Sequence, residues 1–90
     1  VRHAARNDAN QPEIVAALRE RGATVWVIGL PVDLLVGYKG VNTLMEIKPS
    51  PREQLTKLQT KFFDDWRGQV ARVETVEQAF EVAGINKGLA

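Results

Sequence analysis

Apolar positions along this 90-residue chain change period several times, and each change marks an element. Ile14, Val15, Ala17 and Leu18 recur at the spacing of one helical face. Asn10 suits the N-cap, Pro12 the first turn, and Glu13 stands three residues after the cap, where a capping box places its acid. Arg19, Arg21 and Gly22 then supply a C-terminal stop. The stretch TVWVI, residues 24–28, is β-branched and aromatic at both alternating sets of positions. It predicts a strand covered on both sides. After Gly29 and Pro31, DLLVGY (33–38) and NTLMEIK (42–48) predict two further strands, with Lys39 and Gly40 at the turn between them. PSPREQ (49–54) predicts a loop, because two prolines so spaced suit neither a helix nor a central strand.

A second helix is expected from Thr56, with Thr56 and Gln59 as its capping box and Leu58, Phe62, Phe63 and Trp66 as its apolar face; Gly68 ends it. VARV (70–73) predicts a fourth strand. Thr75 then caps a last helix whose Val76, Ala79, Phe80 and Ala83 face inward, and Gly84 closes it. The short turn makes strands two and three antiparallel neighbours, and the helix before strand four allows a crossover that leaves it parallel to an earlier strand. The expected class is therefore α/β: an αβββαβ order and a mixed four-stranded sheet flanked by helices. Residues 10–84 form the domain, 1–9 a loose arm and 85–90 a frayed tail. Trp26 and Trp66 fall in apolar patterns and are assigned to the core. His3 lies in the arm and is given no role.

Composition narrows the setting. At 44% hydrophobic and 26% charged, the chain reads as one soluble domain with a modest core. No apolar run approaches a membrane span, and no signal segment opens the chain, which begins on Val1 as a trimmed or partial chain would. The absence of cysteine excludes disulfides and thiolate metal sites, and fits a reducing cytoplasm. A net charge of +1 is not the strongly basic balance of a dedicated nucleic-acid binder. Distribution matters more: Lys39, Lys48, Arg52, Lys57 and Lys61 cluster around the hairpin and the helix after it. They form either a phosphate track or an ordinary solvated face.

The hairpin carries the candidate chemistry. Glu46 and Lys48 are two residues apart on one strand and share a face. With a two-residue turn, Tyr38 pairs with Val41 and Asp33 lies opposite Glu46. With a four-residue loop from Lys39 to Asn42, Asp33 lies opposite Lys48. Either register gathers all three side chains on one face, whereas a three-residue loop sets Asp33 opposite Ile47 and disperses them. Two close carboxylates repel, and a dication such as Mg²⁺ resolves the conflict. Asp33 and Glu46 are the candidate ligands, with the main-chain carbonyl of Ile47 as a third. Lys48 would hold or deprotonate a water beside the metal. Glu-x-Lys is short enough to arise by chance as a pair of rim charges. Aspartate at the start of an apolar strand is the less ordinary feature.

These motifs, PVDLLVGYKG followed by LMEIK, resemble the signature of the PD-(D/E)XK nuclease superfamily, in particular its small phage- and prophage-encoded members near the VRR-NUC type. The flanking NQPEIVAALRERGATVWVIG and LTKLQTKFFDDWRGQVARVETVEQAF segments are also similar to that group, over roughly residues 6–84. The resemblance implies a restriction-endonuclease-like core and a Mg²⁺- or Mn²⁺-dependent DNA endonuclease, with branched DNA of the Holliday-junction kind as one substrate. A phage-like nuclease would act in the bacterial cytoplasm, and the small size, with little room for a separate DNA-binding domain, suggests a homodimer. By the same resemblance Asp33, Glu46 and Glu13 are metal carboxylates, Lys48 is the catalytic lysine, and Gln59 is a further site residue. Glu13 and Gln59 each have a competing role as capping-box residues. Val32 separates Pro31 from Asp33, and PSPREQ replaces the Gly-rich stretch common in VRR-NUC members. The rival expectations are a nuclease fold that binds nucleic acid or a protein without cutting it, and a metal-independent structural module of a phage particle.

Overall fold

The computed structural model describes residues 9–86. Seven elements follow in order: α1 (Gln11–Glu20), β1 (Thr24–Val27), β2 (Leu34–Tyr38), β3 (Val41–Ile47), α2 (Lys57–Asp65), β4 (Val70–Val73) and α3 (Val76–Ala83). The strands form one sheet in the order β1-β2-β3-β4, antiparallel except for the parallel β3–β4 pair. The fold is α/β with a mixed four-stranded sheet and three helices. The arm expected over residues 1–9 lies almost wholly outside the described residues.

The β2–β3 hairpin closes through Lys39 and Gly40, both at positive φ (50° and 83°). That is the twisted two-residue turn that suits right-handed strands. Tyr38 pairs with Val41 and Leu34 with Met45. Of the two registers that gather the acids, the structure has the one that sets Asp33 across from Glu46.

One face of the sheet is dry. Val25, Leu34, Val36, Met45, Ile47 and Val73 are buried there against Ile14 and Leu18 of α1 and Ala79, Phe80 and Ala83 of α3. Val32, just ahead of Asp33, is fully buried as well. Ile85 is also buried, and its N–H donates to the Phe80 carbonyl at 2.9 Å. This corrects the expected fraying at residue 85: Gly84, at φ 83°, turns the chain so that Ile85 folds back onto the core.

The other face departs from expectation. Trp26 lies with its β2 partner Leu35 on the face that α1 and α3 do not cover, so it is 67% exposed and is not a core residue. A run apolar at both alternating sets, such as residues 24–28, does not show which of its faces a helix will leave uncovered. α2 contains no buried residue, with Leu58 at 61% exposure; Trp66 follows it at 43%, stacked on Phe62 at 5.2 Å rather than buried in the core. α2 ends at Asp65 because Trp66 turns extended, three residues before the expected stop at Gly68. A cavity of about 300 Å³ lies beside Trp66, lined also by Leu35 and Leu44. Among the described residues, no helix is long and apolar enough to cross a membrane.

Candidate active site

The site lies where β2 begins and β3 ends, on the α2 face of the sheet. Alternation puts Leu44, Glu46 and Lys48 on that face, since Met45 and Ile47 point into the dry core. Asp33 is just ahead of β2. Its main-chain carbonyl accepts from Ile28 N at 2.8 Å and from Gly29 N at 3.2 Å, which fixes the bend before the strand. Its carboxylate Oδ2 accepts from Ile47 N at 2.8 Å. The side chain thus stands where the next rung of the β2–β3 ladder would be. An N–H and C=O of one strand residue point the same way, so the Ile47 carbonyl lies on the Asp33 side too.

Glu46 is 3% exposed. Its Oε2 accepts from Gln59 Nε2 at 2.8 Å and faces Lys48 Nζ at 3.5 Å. Its Oε1 is buried and has no hydrogen-bond partner among the described residues. Burial, then the neighbouring Asp33 charge, push the Glu46 carboxyl up from 4.5 to about 7, against the opposing pull of Lys48. An acid so placed is poised to take a cation or a proton.

Gln59 makes the capping box and reaches Glu46 with the same side chain. Its Oε1 accepts from Thr56 N at 2.9 Å, and Thr56 Oγ1 accepts from Gln59 N at 3.2 Å, completing the capping box. The same side chain still spends its amide N–H on Glu46. A capping glutamine has a donor to spare, and the turn that starts α2 brings it to the site.

Glu13 is not brought in. It is exposed, on the side of α1 turned away from the buried Gln11, Ile14 and Leu18, and α1 packs on the opposite face of the sheet from Glu46. No group of three or more His, Cys, Asp or Glu side chains stands ready for a metal among the described residues. Helical period places Glu13 outward on α1. Asp33 and Glu46 remain as a pair of carboxylates.

Two neighbours escaped the sequence pattern. Arg72 pairs with Glu46 in the parallel register; it bonds Glu74 Oε2 at 3.0 Å and the Ser50 carbonyl at 2.8 Å, tying the loop after Lys48 to β4. Asn10 Nδ2 donates to the Lys48 carbonyl at 2.9 Å. Parallel register is not legible in one strand's sequence, and an asparagine at a helix start is already explained as a cap.

The donor set suits a hard dication: two carboxylates, one with a buried unpaired oxygen, and a main-chain carbonyl on the same side. Comparison with protein-family models, with curated proteins and with solved structures finds no match for this chain.

Proposed function

We propose that this chain is a Mg²⁺- or Mn²⁺-dependent nuclease with a restriction-endonuclease-like core, hydrolysing phosphodiester bonds in DNA as a homodimer in the bacterial cytoplasm. The observation that carries the reading is the buried, unpartnered Oε1 of Glu46 beside Asp33 and Lys48. Leaving a carboxylate oxygen buried and unpaired is costly without a cation or a proton to meet it.

Asp33 and Glu46, with the Ile47 carbonyl, would hold the metal. When bound, the metal supplies Lewis-acid polarisation and a water acidic enough to attack at neutral pH. Gln59 keeps one oxygen of Glu46 engaged and so orients the other. Lys48 Nζ, on the same face, holds the attacking water and offsets charge that builds on the phosphate in the transition state. Lys57 and Lys61 on α2 supply phosphate contacts. The half-exposed apolar row of Trp26, Leu35 and Leu44 runs beside the site and supports pairing of two copies, which would present two centres to two strands.

A panel of linear duplex, single-stranded, flap and four-way-junction DNA, incubated with Mg²⁺, Mn²⁺ or EDTA, tests the reading. Metal-dependent cutting of at least one structure is expected. Binding without cutting on every substrate would favour a nuclease-fold binding module.

A further inference from the structure

We propose that Asn10 is a positioning residue for Lys48: its side-chain amide holds the lysine's main chain where β3 ends and so sets where Nζ stands beside Glu46. The catalytic meaning of this rests on the nuclease reading above.

Asn10 occupies the N-cap of α1, where an asparagine normally turns its side-chain oxygen onto the first helical N–H groups. Here it makes no such bond, and its own backbone is already helical (φ −83°, ψ −11°). Nδ2 points instead at two carbonyl oxygens, of Lys48 at 2.9 Å and of Glu74 at 2.8 Å. Both partners only accept, so the NH₂ end must face them. Oδ1 is left buried with no partner among the described residues. The residue forgoes a cap and leaves an acceptor unpaired in order to hold those two carbonyls.

Both carbonyls lie just past a strand end, since β3 closes at Ile47 and β4 at Val73. Lys48 N still donates to the Val73 carbonyl at 3.0 Å. After Lys48 the chain enters Pro49, Ser50 and Pro51, where two residues carry no N–H with which to extend a ladder. Asn10 thus holds the Lys48 carbonyl itself, and Arg72 holds the Ser50 carbonyl two residues further on. The lysine side chain is only 11% exposed, yet its Nζ is 3.5 Å from Glu46 Oε2, beyond a close charged hydrogen bond. Its position follows from the main chain and packing more than from the ion pair. Serine, threonine or aspartate at position 10 would cap α1 but could not donate to two carbonyls.

The test uses the whole chain and Asn10→Ser, which suits a helix start, removes both amide donors and has a single hydroxyl that cannot serve two carbonyls. The readouts are ¹³Cε order parameters of Lys48, with exposed Lys57 as an internal standard, single-turnover cleavage with Mg²⁺, and DNA affinity with Ca²⁺. Lys48 should be rigid in the wild type and approach the mobility of Lys57 in Asn10→Ser. Cleavage should fall about 10-fold to 100-fold, the scale of a displaced catalytic group, at unchanged affinity. Adding Asn10→Ser to Lys48→Met should slow it no further. A lower melting temperature with Lys48 as rigid as before would overturn the proposal and leave Asn10 a staple of the fold. If Asn10→Ser does not fold, Asn10→Asp, of the same size and without a donor when ionised, takes its place: Lys48 as rigid as in the wild type overturns the proposal, and a Lys48 as mobile as Lys57 supports it. If the wild type cuts no DNA, the nuclease reading fails while the order parameters still judge Asn10.

Discussion

On the α1 and α3 side of the sheet, Leu34, Met45, Ile47 and Val73 are completely withdrawn from water, whereas on the α2 side Trp26, Leu35 and Leu58 are 40–67% exposed. The first side holds the fold together, and burial of that kind contributes about 1.5–3 kcal/mol per large side chain. The second side holds Glu46 and Lys48, whose burial works against stability unless something is bound. A small domain with one strong face can tolerate a costly one. The helix over the costly face is joined to it by Gln59's single bond to Glu46 and by a few half-buried rings.

The largest expected effect breaks the comparison on its functional side. Lys48→Met should lower single-turnover cleavage about 10²-fold to 10⁴-fold with little change in Ca²⁺-supported DNA affinity, because a positioned group is lost and the apolar stem remains. A variant that cuts at the wild-type rate would leave Lys48 as a buried partner of Glu46 and nothing more.

Next in size is the contrast in packing. Leu34→Ala should cost about 2–5 kcal/mol in urea unfolding, through lost transfer energy and the cavity left behind. Leu58→Ala on α2 should stay within about 0.5 kcal/mol, as for other exposed positions. Equal losses would show that α2 is packed as firmly as the far face, by an occluding partner.

Glu46 ties stability to pH. Its folded value of about 7 lies above the ordinary 4.5, so the native state keeps a proton that the unfolded chain has released between those values. The stability is therefore full below 4.5 and is lost as pH rises through about 7. Glu46→Gln should flatten that slope and stabilise the metal-free protein at pH 8, on the order of 3 kcal/mol. Mn²⁺ should raise the melting temperature of the wild type and not that of Glu46→Gln. Thermal scans from pH 5 to pH 8 with and without Mn²⁺ measure both, and a wild type whose stability ignores pH would remove the strain assigned to Glu46.

The smallest effect separates the two duties of Gln59. Thr56→Ala should cost about 1 kcal/mol as a lost cap. Gln59→Ala should cost more at pH 8, by about 1.5–3 kcal/mol, since it also strips a donor from a buried carboxylate. Equal costs in urea unfolding would reduce Gln59 to a capping residue.

The sequence by itself determined what is local. The three helices, four strands and the positive-φ turn at Lys39 and Gly40 follow from period, capping residues and glycine placement, because these depend on neighbours a few residues away. Alternation from that turn carried Asp33, Glu46 and Lys48 to one face, and the hairpin has one of the two registers that do so. What faces a whole element from outside was decided only in the tertiary structure. Trp26 became exposed because it lies on the face that α1 and α3 leave uncovered. Glu13 turned away because α1 covers the opposite layer. Gln59 met Glu46, and Asn10 met Lys48, across 13 and 38 residues of chain. Such contacts depend on which face each helix covers and on where strands stop in space, and no local pattern of apolar and polar residues encodes either.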